Sequence, residues 1–342
     1  MTINYPSLDN PSKGAFRFNT DSNQLEIYDG NQWTGVVATS LEMPTGGTRG
    51  IQWNGDSAWT ISYFNIATTG NAASFGTMDT NKDSCGASGD RTRSLFAGGQ
   101  DPSNNYINSI AYVTFSTTGN SIDFGDMTVQ YRQWGSRGSN STRAVFYGGN
   151  GATSPGYDNN IEYVTVQSTG NAIDFGDRTL NGGVSCGSSP TRTVGGGQYE
   201  SPGRTNTVDY VITATTGNSA DFGDLTGARN DAQAAANSTR SVIGGGGQDA
   251  PANDQTNLID YITIATLGNA KEFGDLSYAR QSHSACSSPT RGVWTNGYRY
   301  SPAGHVADMD YVQIATTGNA VDFGDSTSAQ GNVANSNGRG GL

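Results

Sequence analysis

Large apolar side chains alternate with small or polar ones along a short stretch that returns six times in this chain. Residues 112 to 126 read Tyr-Val-Thr-Phe-Ser-Thr-Thr-Gly-Asn-Ser-Ile-Asp-Phe-Gly-Asp. Alternation with a period of two is typical of a half-buried β-strand, and Thr-Thr-Gly-Asn supplies turn residues. The pattern therefore predicts a β-hairpin of constant length.

This hairpin is the fixed part of a repeat of 47 to 51 residues, and all insertions fall between hairpins. Repeats of this length are typical of propellers and solenoids. The recurring residues are the tyrosines Tyr63, Tyr112, Tyr163, Tyr210, Tyr261 and Tyr311, the glycines of the Gly-Asn step Gly70, Gly119, Gly170, Gly217, Gly268 and Gly318, and the phenylalanines Phe75, Phe124, Phe175, Phe222, Phe273 and Phe323.

Two further strands are predicted before each hairpin. A Thr-Arg pair opens a short apolar strand that often ends in Gly-Gly, and a run of small residues such as 230–237 precedes it. Small side chains suit a crowded inner strand. The first unit lacks this inner strand, and residues 331–342 have the matching pattern. We expect the C-terminal tail to complete the first unit, which removes free sheet edges.

The order of the four strands resembles the kelch-type blade, whose second strand ends in Gly-Gly and whose third and fourth strands carry aromatic residues. The matching positions in one unit are Gly98, Gly99, Tyr112 and Phe124. Phenylalanine stands where kelch blades usually have tryptophan, so the resemblance implies the architecture and no kelch partner. It implies an all-β fold, a six-bladed kelch-like β-propeller over residues 41–342. An open stack is the alternative, and it would need polar end caps that the sequence does not show.

Residues 1–40 lie outside the array and are predicted to form three short strands. Three strands are too few to be stable alone in water. We therefore expect this segment to serve attachment or self-association, with a trimer as the expected homo-oligomer. Its apolar positions are Phe16, Phe18, Leu25, Ile27 and Trp33.

The same segment resembles a Gly-x-x-Arg-Phe-Asn-Thr … Leu-Glu-x-Tyr-x-Gly-x-x-Trp segment of structural proteins of tailed bacteriophages. Arrays similar to the Thr-Thr-Gly-Asn repeat occur in predicted proteins of marine and cyanobacterial phages. The resemblance implies a fibre-like or adhesin-like virion protein, assembled in the host cytoplasm, with other virion proteins as partners. The matching residues are Gly14, Arg17, Phe18, Asn19, Thr20, Leu25, Glu26, Tyr28, Gly30 and Trp33.

Composition narrows the choice of partners. The formal net charge of −11 opposes binding to nucleic acid or to an anionic membrane surface. No run of 18 apolar residues and no basic-then-apolar N-terminal stretch is present, so neither membrane insertion nor a signal peptide is expected. Cys85, Cys186 and Cys286 precede Thr-Arg in three units and are predicted to be buried, reduced thiols at corresponding positions.

The sequence predicts no metal, no cofactor and no enzymatic activity. Asp-Phe-Gly recurs in four units without the other kinase motifs, so it is interpreted as part of the fold. The aspartates after Phe-Gly, such as Asp126, are expected to pair with the Thr-Arg guanidinium groups or to cap a turn. Two histidines in unlike positions and no Cys-x-x-Cys pair do not support zinc. A glycan hydrolase remains an alternative, because carboxylates on loops could converge.

The loops between the second and third strands vary most, and they are rich in Tyr, Asn, Gln and Arg. Such residues on adaptable loops suit recognition, and aromatic faces with amide donors suit carbohydrate. Host-surface glycan is therefore the predicted ligand. One alternative is solvated loops whose tyrosines pack on the rim, and another is a decoration or assembly protein that binds a second virion protein. The predicted ligand-binding residues are Tyr106, Tyr157, Tyr199, Arg204, Tyr298, Arg299 and Tyr300.

Overall fold

All regular structure in the described part of the chain is β-strand, which confirms the all-β prediction. The chain divides into two units, Met1–Met43 and Pro44–Leu342. Among the described residues there is no helix of the length and apolarity that a membrane span requires. The structure is a computed structural model and describes residues 11–19, 24–35, 47–55, 59–80, 82–132, 135–151, 156–200, 203–249, 254–329 and 333–338.

The N-terminal unit contains the three predicted strands, Phe16–Asn19, Gln24–Tyr28 and Trp33–Gly35, in one antiparallel sheet. Phe16 pairs with Ile27, and Phe18 pairs with Leu25 two residues further along. Trp33 pairs with Tyr28, the residue after Ile27. Because successive side chains of a strand point to opposite faces, Trp33 lies on the face opposite to Phe16 and Ile27. The Arg17 guanidinium covers the Trp33 ring at 4.4 Å and contacts Glu26 at 2.7 Å. Arg17, Glu26 and Trp33 thus share one face of the sheet, and Phe16 and Ile27 share the other.

The second unit contains six four-stranded antiparallel sheets, numbered here along the chain. Sheet 1 consists of Arg49–Trp53, Thr60–Asn65 and Ala73–Thr77 with Val333–Ser336, and sheet 2 of Gly86–Gly89, Arg93–Ala97, Ser109–Thr114 and Ile122–Asp126. Sheet 3 consists of Gly138–Ser139, Arg143–Gly151, Tyr157–Thr165 and Ile173–Asp177, and sheet 4 of Cys186–Ser188, Arg192–Gly196, Thr207–Ile212 and Ala220–Asp224. Sheet 5 consists of Gln233–Ala236, Arg240–Gly244, Leu258–Thr263 and Lys271–Asp275, and sheet 6 of Ser284–Ser287, Arg291–Thr295, Asp308–Gln313 and Val321–Asp325.

Two shorter strands supplement sheets 2 and 3. Tyr131–Arg132 pairs with the far end of the second strand of sheet 3, and Gly135–Ser136 runs parallel to the first strand of sheet 2. The first strands contact one another in the order of the sheets, and Val333–Ser336 contacts those of both sheet 6 and sheet 2. Gly135–Ser136 also lies against the first strands of sheets 4, 5 and 6. The strands of small residues are therefore packed closely against one another, as the sequence predicted.

Sheet 1 is completed by the C-terminal tail, as predicted. Val333 pairs with Trp53 and Ser336 with Gly50. The Asn335 side-chain amide donates to the Ser88 carbonyl oxygen of sheet 2 at 2.7 Å. The last strand of the chain is thus bonded to both the first and the second sheet.

In each hairpin the repeated tyrosine packs against the repeated phenylalanine, which explains why both residues recur. The two rings meet edge to face, with centroids 5.8–6.0 Å apart in all six sheets. The Thr-Arg guanidinium lies over the tyrosine ring at 4.4–4.9 Å and donates to a carbonyl of the next sheet. The predicted pairing of this arginine with the aspartate after Phe-Gly was therefore wrong.

The Gly-Asn step joins neighbouring sheets and is not part of the hairpin turn. The turn precedes it, as where Thr266 N–H donates to Thr263 O at 3.2 Å. At all six junctions the glycine N–H donates to the phenylalanine oxygen of the preceding sheet, at 2.7–3.0 Å. The asparagine Oδ1 accepts from the main-chain N–H two residues after that phenylalanine, at 3.0–3.2 Å. Gly70 and Asn71 make the same bonds to Phe323 and Asp325, so the series returns from sheet 6 to sheet 1.

The three cysteines are free and buried, as predicted, but they do not occupy equivalent positions. Cys186 pairs with Gly195, three residues after its Thr-Arg arginine, whereas Cys286 pairs with Val293, two residues after. Cys85 precedes its strand. The units differ in length around the small-residue strand, which moves each thiol to a different packing site. Burial raises the pKa of the Cys85 thiol to about 12.

Among the described residues, buried ion pairs link neighbouring sheets at three places. Arg229 contacts Asp260 and Arg280 contacts Asp310, both at 3.0 Å, and Arg178 contacts Asp209 at 3.2 Å. Each aspartate immediately precedes the repeated tyrosine and also accepts from a threonine or serine hydroxyl of the preceding sheet. These carboxylates are thus buried and paired with arginine.

Candidate functional site

The loops between second and third strands, together with the links between sheets, emerge at one end of the strands, called here the loop side. Three of these loops contain a two-stranded hairpin of their own. The hairpins are Tyr199–Glu200 with Gly203–Arg204, Gly247–Gln248 with Asp254–Gln255, and Tyr298–Tyr300 with Ala303–His305. In their described parts, these three variable loops are therefore built from regular structure.

Side-chain hydrogen bonds join these three hairpins in a row. The Arg204 guanidinium donates to Asp249 Oδ1 at 2.6 Å and to the Gln248 oxygen at 2.8 Å. The Gln255 amide donates to the Tyr298 oxygen at 2.8 Å and accepts from the Tyr300 N–H at 2.9 Å. Because each hairpin holds the next, the described residues of these three hairpins are fixed relative to one another, and such preorganisation lowers the entropy cost of binding.

A small cleft lies at the beginning of this row, between the loops of sheets 3 and 4. Tyr157 and Tyr199 line it, with ring centroids 5.9 Å apart and planes tilted by 39°. Polar side chains of Arg132, Asn150, Asn230 and Asp231 also line it. We call this the tyrosine cleft. Its volume is about 50 Å³, which is room for only the edge of a small molecule.

Asp231 gives the tyrosine cleft a carboxylate in a confined setting. Its main chain is left-handed, with φ of 55°, and Arg204 Nε donates to the neighbouring Asn230 at 2.5 Å. Burial raises the pKa of Asp231, and the nearby Arg204 and Arg132 oppose that rise. Burial, followed by Tyr199 and Asp231, raises the pKa of Tyr157, which keeps that phenol protonated at neutral pH. The cleft thus offers phenol donors, amides and one carboxylate beside aromatic faces.

A second aromatic group lies at the other end of the row. The Tyr298 ring is 5.6 Å from that of Tyr300 and 5.1 Å from that of His305. Tyr300 is 44% exposed, so one of its faces is open to solvent. The Arg299 guanidinium lies over the ring of Tyr278 at 5.2 Å. This patch presents aromatic edges and faces at the end of the row.

The structure brings six of the seven predicted ligand-binding residues into these two places. Tyr157, Tyr199 and Arg204 lie in or beside the tyrosine cleft, and Tyr298, Arg299 and Tyr300 lie in the second patch. Arg204 is committed to Asp249 and Asn230 and acts as a support for the cleft. Tyr106 lies in the loop of sheet 2, bridged to Gln100, whose side chain accepts from Arg132 at 3.0 Å.

Sequence reasoning missed Arg132, Asn150, Asn230 and Asp231, because they come from three different links and loops. One signal could have identified Asp231. It stands nine residues before its Thr-Arg arginine, where two other units have Ser84 and Ser282 in the same left-handed conformation. An acidic residue at a position of the repeat where serine suffices for the fold indicates a role outside the fold.

Among the described residues no group of three or more His, Cys, Asp or Glu side chains is arranged to hold a metal ion. His283 is buried and donates from Nε2 to the Gly244 oxygen at 3.0 Å, and burial holds its pKa well below the usual value.

The arrangement on the loop side is suited to holding a neutral polyhydroxyl ligand through stacking and hydrogen bonds. No protein-family model matches the chain, and no curated protein matches it.

Proposed function

We propose that this chain is a non-enzymatic structural protein of a tailed-phage virion, resembling tail fibres and adhesins, that recognises host-surface glycan through its loop side. The tyrosine cleft carries this proposal. Paired tyrosine rings, amide groups and a carboxylate are the side chains that stack on sugar rings and bond to their hydroxyl groups. The resemblance of residues 14–33 to phage virion segments supports the location in the particle.

The architecture we propose is a closed six-bladed β-propeller with each four-stranded sheet as one blade. Three observations support it. The Gly-Asn bonds run from each sheet to the next and return from sheet 6 to sheet 1. The Thr-Arg arginines bond to the next sheet in the same order, and the first strands contact one another in that order as well. The C-terminal strand joins the two ends of the array.

The N-terminal unit is proposed to attach the protein within the virion or to associate with its own copies, as a trimer. Phe16 is 58% exposed and Ile27, its pairing partner, lies on the same face of a three-stranded sheet. A sheet of this size is marginal in water unless its apolar face is covered.

A second candidate function is decoration or assembly, in which the protein binds another virion protein. One observation favours it. Exposed aliphatic side chains recur at the position two residues before the repeated phenylalanine, with Ile122, Ile173 and Val321 each more than half exposed. Aliphatic side chains repeated at one position of successive sheets suit a protein partner better than a sugar.

A glycan array with one double variant tests the recognition function. Tyr157→Ala with Tyr199→Ala removes both rings of the tyrosine cleft and should weaken binding at least about tenfold, because each stacking contact contributes about 1 kcal/mol. The melting temperature should stay nearly unchanged, since both rings are partly exposed at the loop side and lie outside the buried core. Thr118→Ala with Thr169→Ala, at the opposite end of the strands, is the control. Unchanged glycan binding by the tyrosine variant, or no binding by the parent together with co-purification with particles, would favour the assembly function.

A further inference from the structure

A groove lies on sheet 5 at the end opposite the loop side. The second strand begins there at Arg240, the third strand ends there at Thr263, and the segment from Thr266 to Lys271 returns along the other wall. The groove exists because the chain leaves the hairpin after its turn and bonds to sheet 4 through Gly268. Its volume is about 400 Å³, within the range of small-molecule sites.

The groove on sheet 5 is cationic in a protein of net charge −11. Arg240 stacks on the Tyr261 ring at 4.7 Å, and Lys271 is the cross-strand partner of Tyr261, so both cations lie on the same face of the sheet. Glu272 follows Lys271 and points to the other face. Among the described residues neither cation forms an ion pair, and the lining of the groove contains no carboxylate.

Two residues of this groove depart from the repeat. The equivalent groove on sheet 6 has Val321 where sheet 5 has Lys271, and Thr317 where sheet 5 has Leu267. Sheets 2 and 3 have Ile122 and Ile173 at the lysine position. The fold therefore does not need the lysine or the leucine. Both changes fall in the same groove, and together they add one positive charge and one apolar contact, with Leu267 56% exposed.

We propose that this groove binds a carboxylate-bearing sugar, a hexuronate unit of a polysaccharide, independently of the tyrosine cleft. Lys271 holds the carboxylate through charge-assisted hydrogen bonds, and Arg240, whose Nη1 donates to the Ile314 and Ala315 oxygens, contributes its positive charge. The ring face of the sugar lies against Leu267 and the Tyr261 ring. Hydroxyl groups of Thr263 and Thr266 bond to the remaining sugar hydroxyls. A neutral sugar lacks the carboxylate, and a bare anion lacks the ring, so both bind more weakly.

Calorimetric titration with trigalacturonic acid tests this site, with maltotriose and sodium sulfate as comparison ligands. The parent protein should bind the trimer in low salt, more weakly as salt is added, and at least tenfold more tightly than maltotriose or sulfate. Lys271→Ile, which installs the residue of sheets 2 and 3, should weaken binding about tenfold or more. Lys271→Arg should retain most of it. Lys13→Ile, which removes the same charge from the N-terminal unit, is the matched control and should bind as the parent does.

The variant Tyr157→Ala with Tyr199→Ala should bind trigalacturonic acid as tightly as the parent, which separates this groove from the tyrosine cleft. If Lys271→Ile fails to fold, Lys271→Gln serves in its place. Equal binding by the parent and the Lys271 variant, equal loss in the Lys13 variant, equal affinity for maltotriose or sulfate, or no binding of the trimer at millimolar concentration would each overturn the proposal.

Discussion

At the scale of single residues, the repeat is explained by contacts between sheets. Gly125 has a φ of +146°, and a Cβ built on it would lie 2.5 Å from the Gly170 oxygen of the next sheet. The Gly-Asn step of each sheet approaches the Phe-Gly-Asp strand of the one before it so closely that a side chain has no room. Glycine is therefore required there both by conformation and by space.

Gly125→Ala should lower the free energy of unfolding by about 2 kcal/mol or more, because it combines backbone strain with overpacking. Gly119→Ala is the matched control. It lies in the same sheet, has no atom within 4 Å of its built Cβ and is not among the residues of positive φ. Urea unfolding measures both. Similar losses for the two variants would contradict this account of the junction.

At the scale of elements, the sheets are held to their neighbours by buried polar groups that are not the same at every junction. Between sheets 2 and 3, Tyr131 replaces the arginine, and the buried Glu162 accepts from the Thr128 N–H and hydroxyl. Between sheets 1 and 2, the buried Lys82 donates to the Phe96 and Ser109 carbonyl oxygens, where Ala111 replaces the aspartate. Burial accordingly raises the pKa of Glu162 and lowers that of Lys82.

Asp310→Ala should cost about 3–5 kcal/mol of folding free energy, because it leaves the Arg280 guanidinium buried without its carboxylate. Asp325→Ala in the same sheet is the control and should change stability by less than about 0.5 kcal/mol, since Asp325 is exposed and bonds to sheet 1 through its main chain. Thermal unfolding of the two variants compares them. Equal melting temperatures would mean that this ion pair does not hold the junction.

The hairpins, the four strands of each unit and the C-terminal strand were predictable because each leaves a local pattern of alternation or small residues. The hydrogen-bond partners of the Thr-Arg arginines were not predictable, because they lie in the next sheet. A fixed spacing in the sequence does not distinguish a contact within a unit from a contact between units. The face on which Trp33 lies could not be predicted, because the turn before it sets the register of its strand. The tyrosine cleft combines Arg132, Tyr157, Tyr199 and Asp231. Their spacing along the sequence does not indicate that they lie close together in the structure.

At the scale of the whole molecule, the chain divides into an N-terminal unit and the array, and we expect the N-terminal unit to control assembly. Full-length protein should sediment as an oligomer, with a trimer expected. A three-stranded sheet is stable only when its apolar face, which includes the exposed Phe16, is buried against another surface. A chain beginning at Pro44 should remain a folded monomer. Analytical ultracentrifugation compares the two, and equal oligomeric states would show that residues 1–43 do not control assembly.

The proposed closure of the six sheets depends on the C-terminal strand, which pairs with sheet 1 and bonds to sheet 2. A chain lacking residues 331–342 loses the buried Val333 and Ala334, the Asn335 bond to sheet 2 and the pairing that covers Arg49–Trp53. It should lose several kcal/mol of a total of about 5–15 kcal/mol, and a synthetic peptide of residues 331–342 should restore stability as its concentration rises. Urea unfolding of the truncated chain with and without the peptide is the measurement. A midpoint equal to that of the parent, unaffected by the peptide, would contradict closure of the ring.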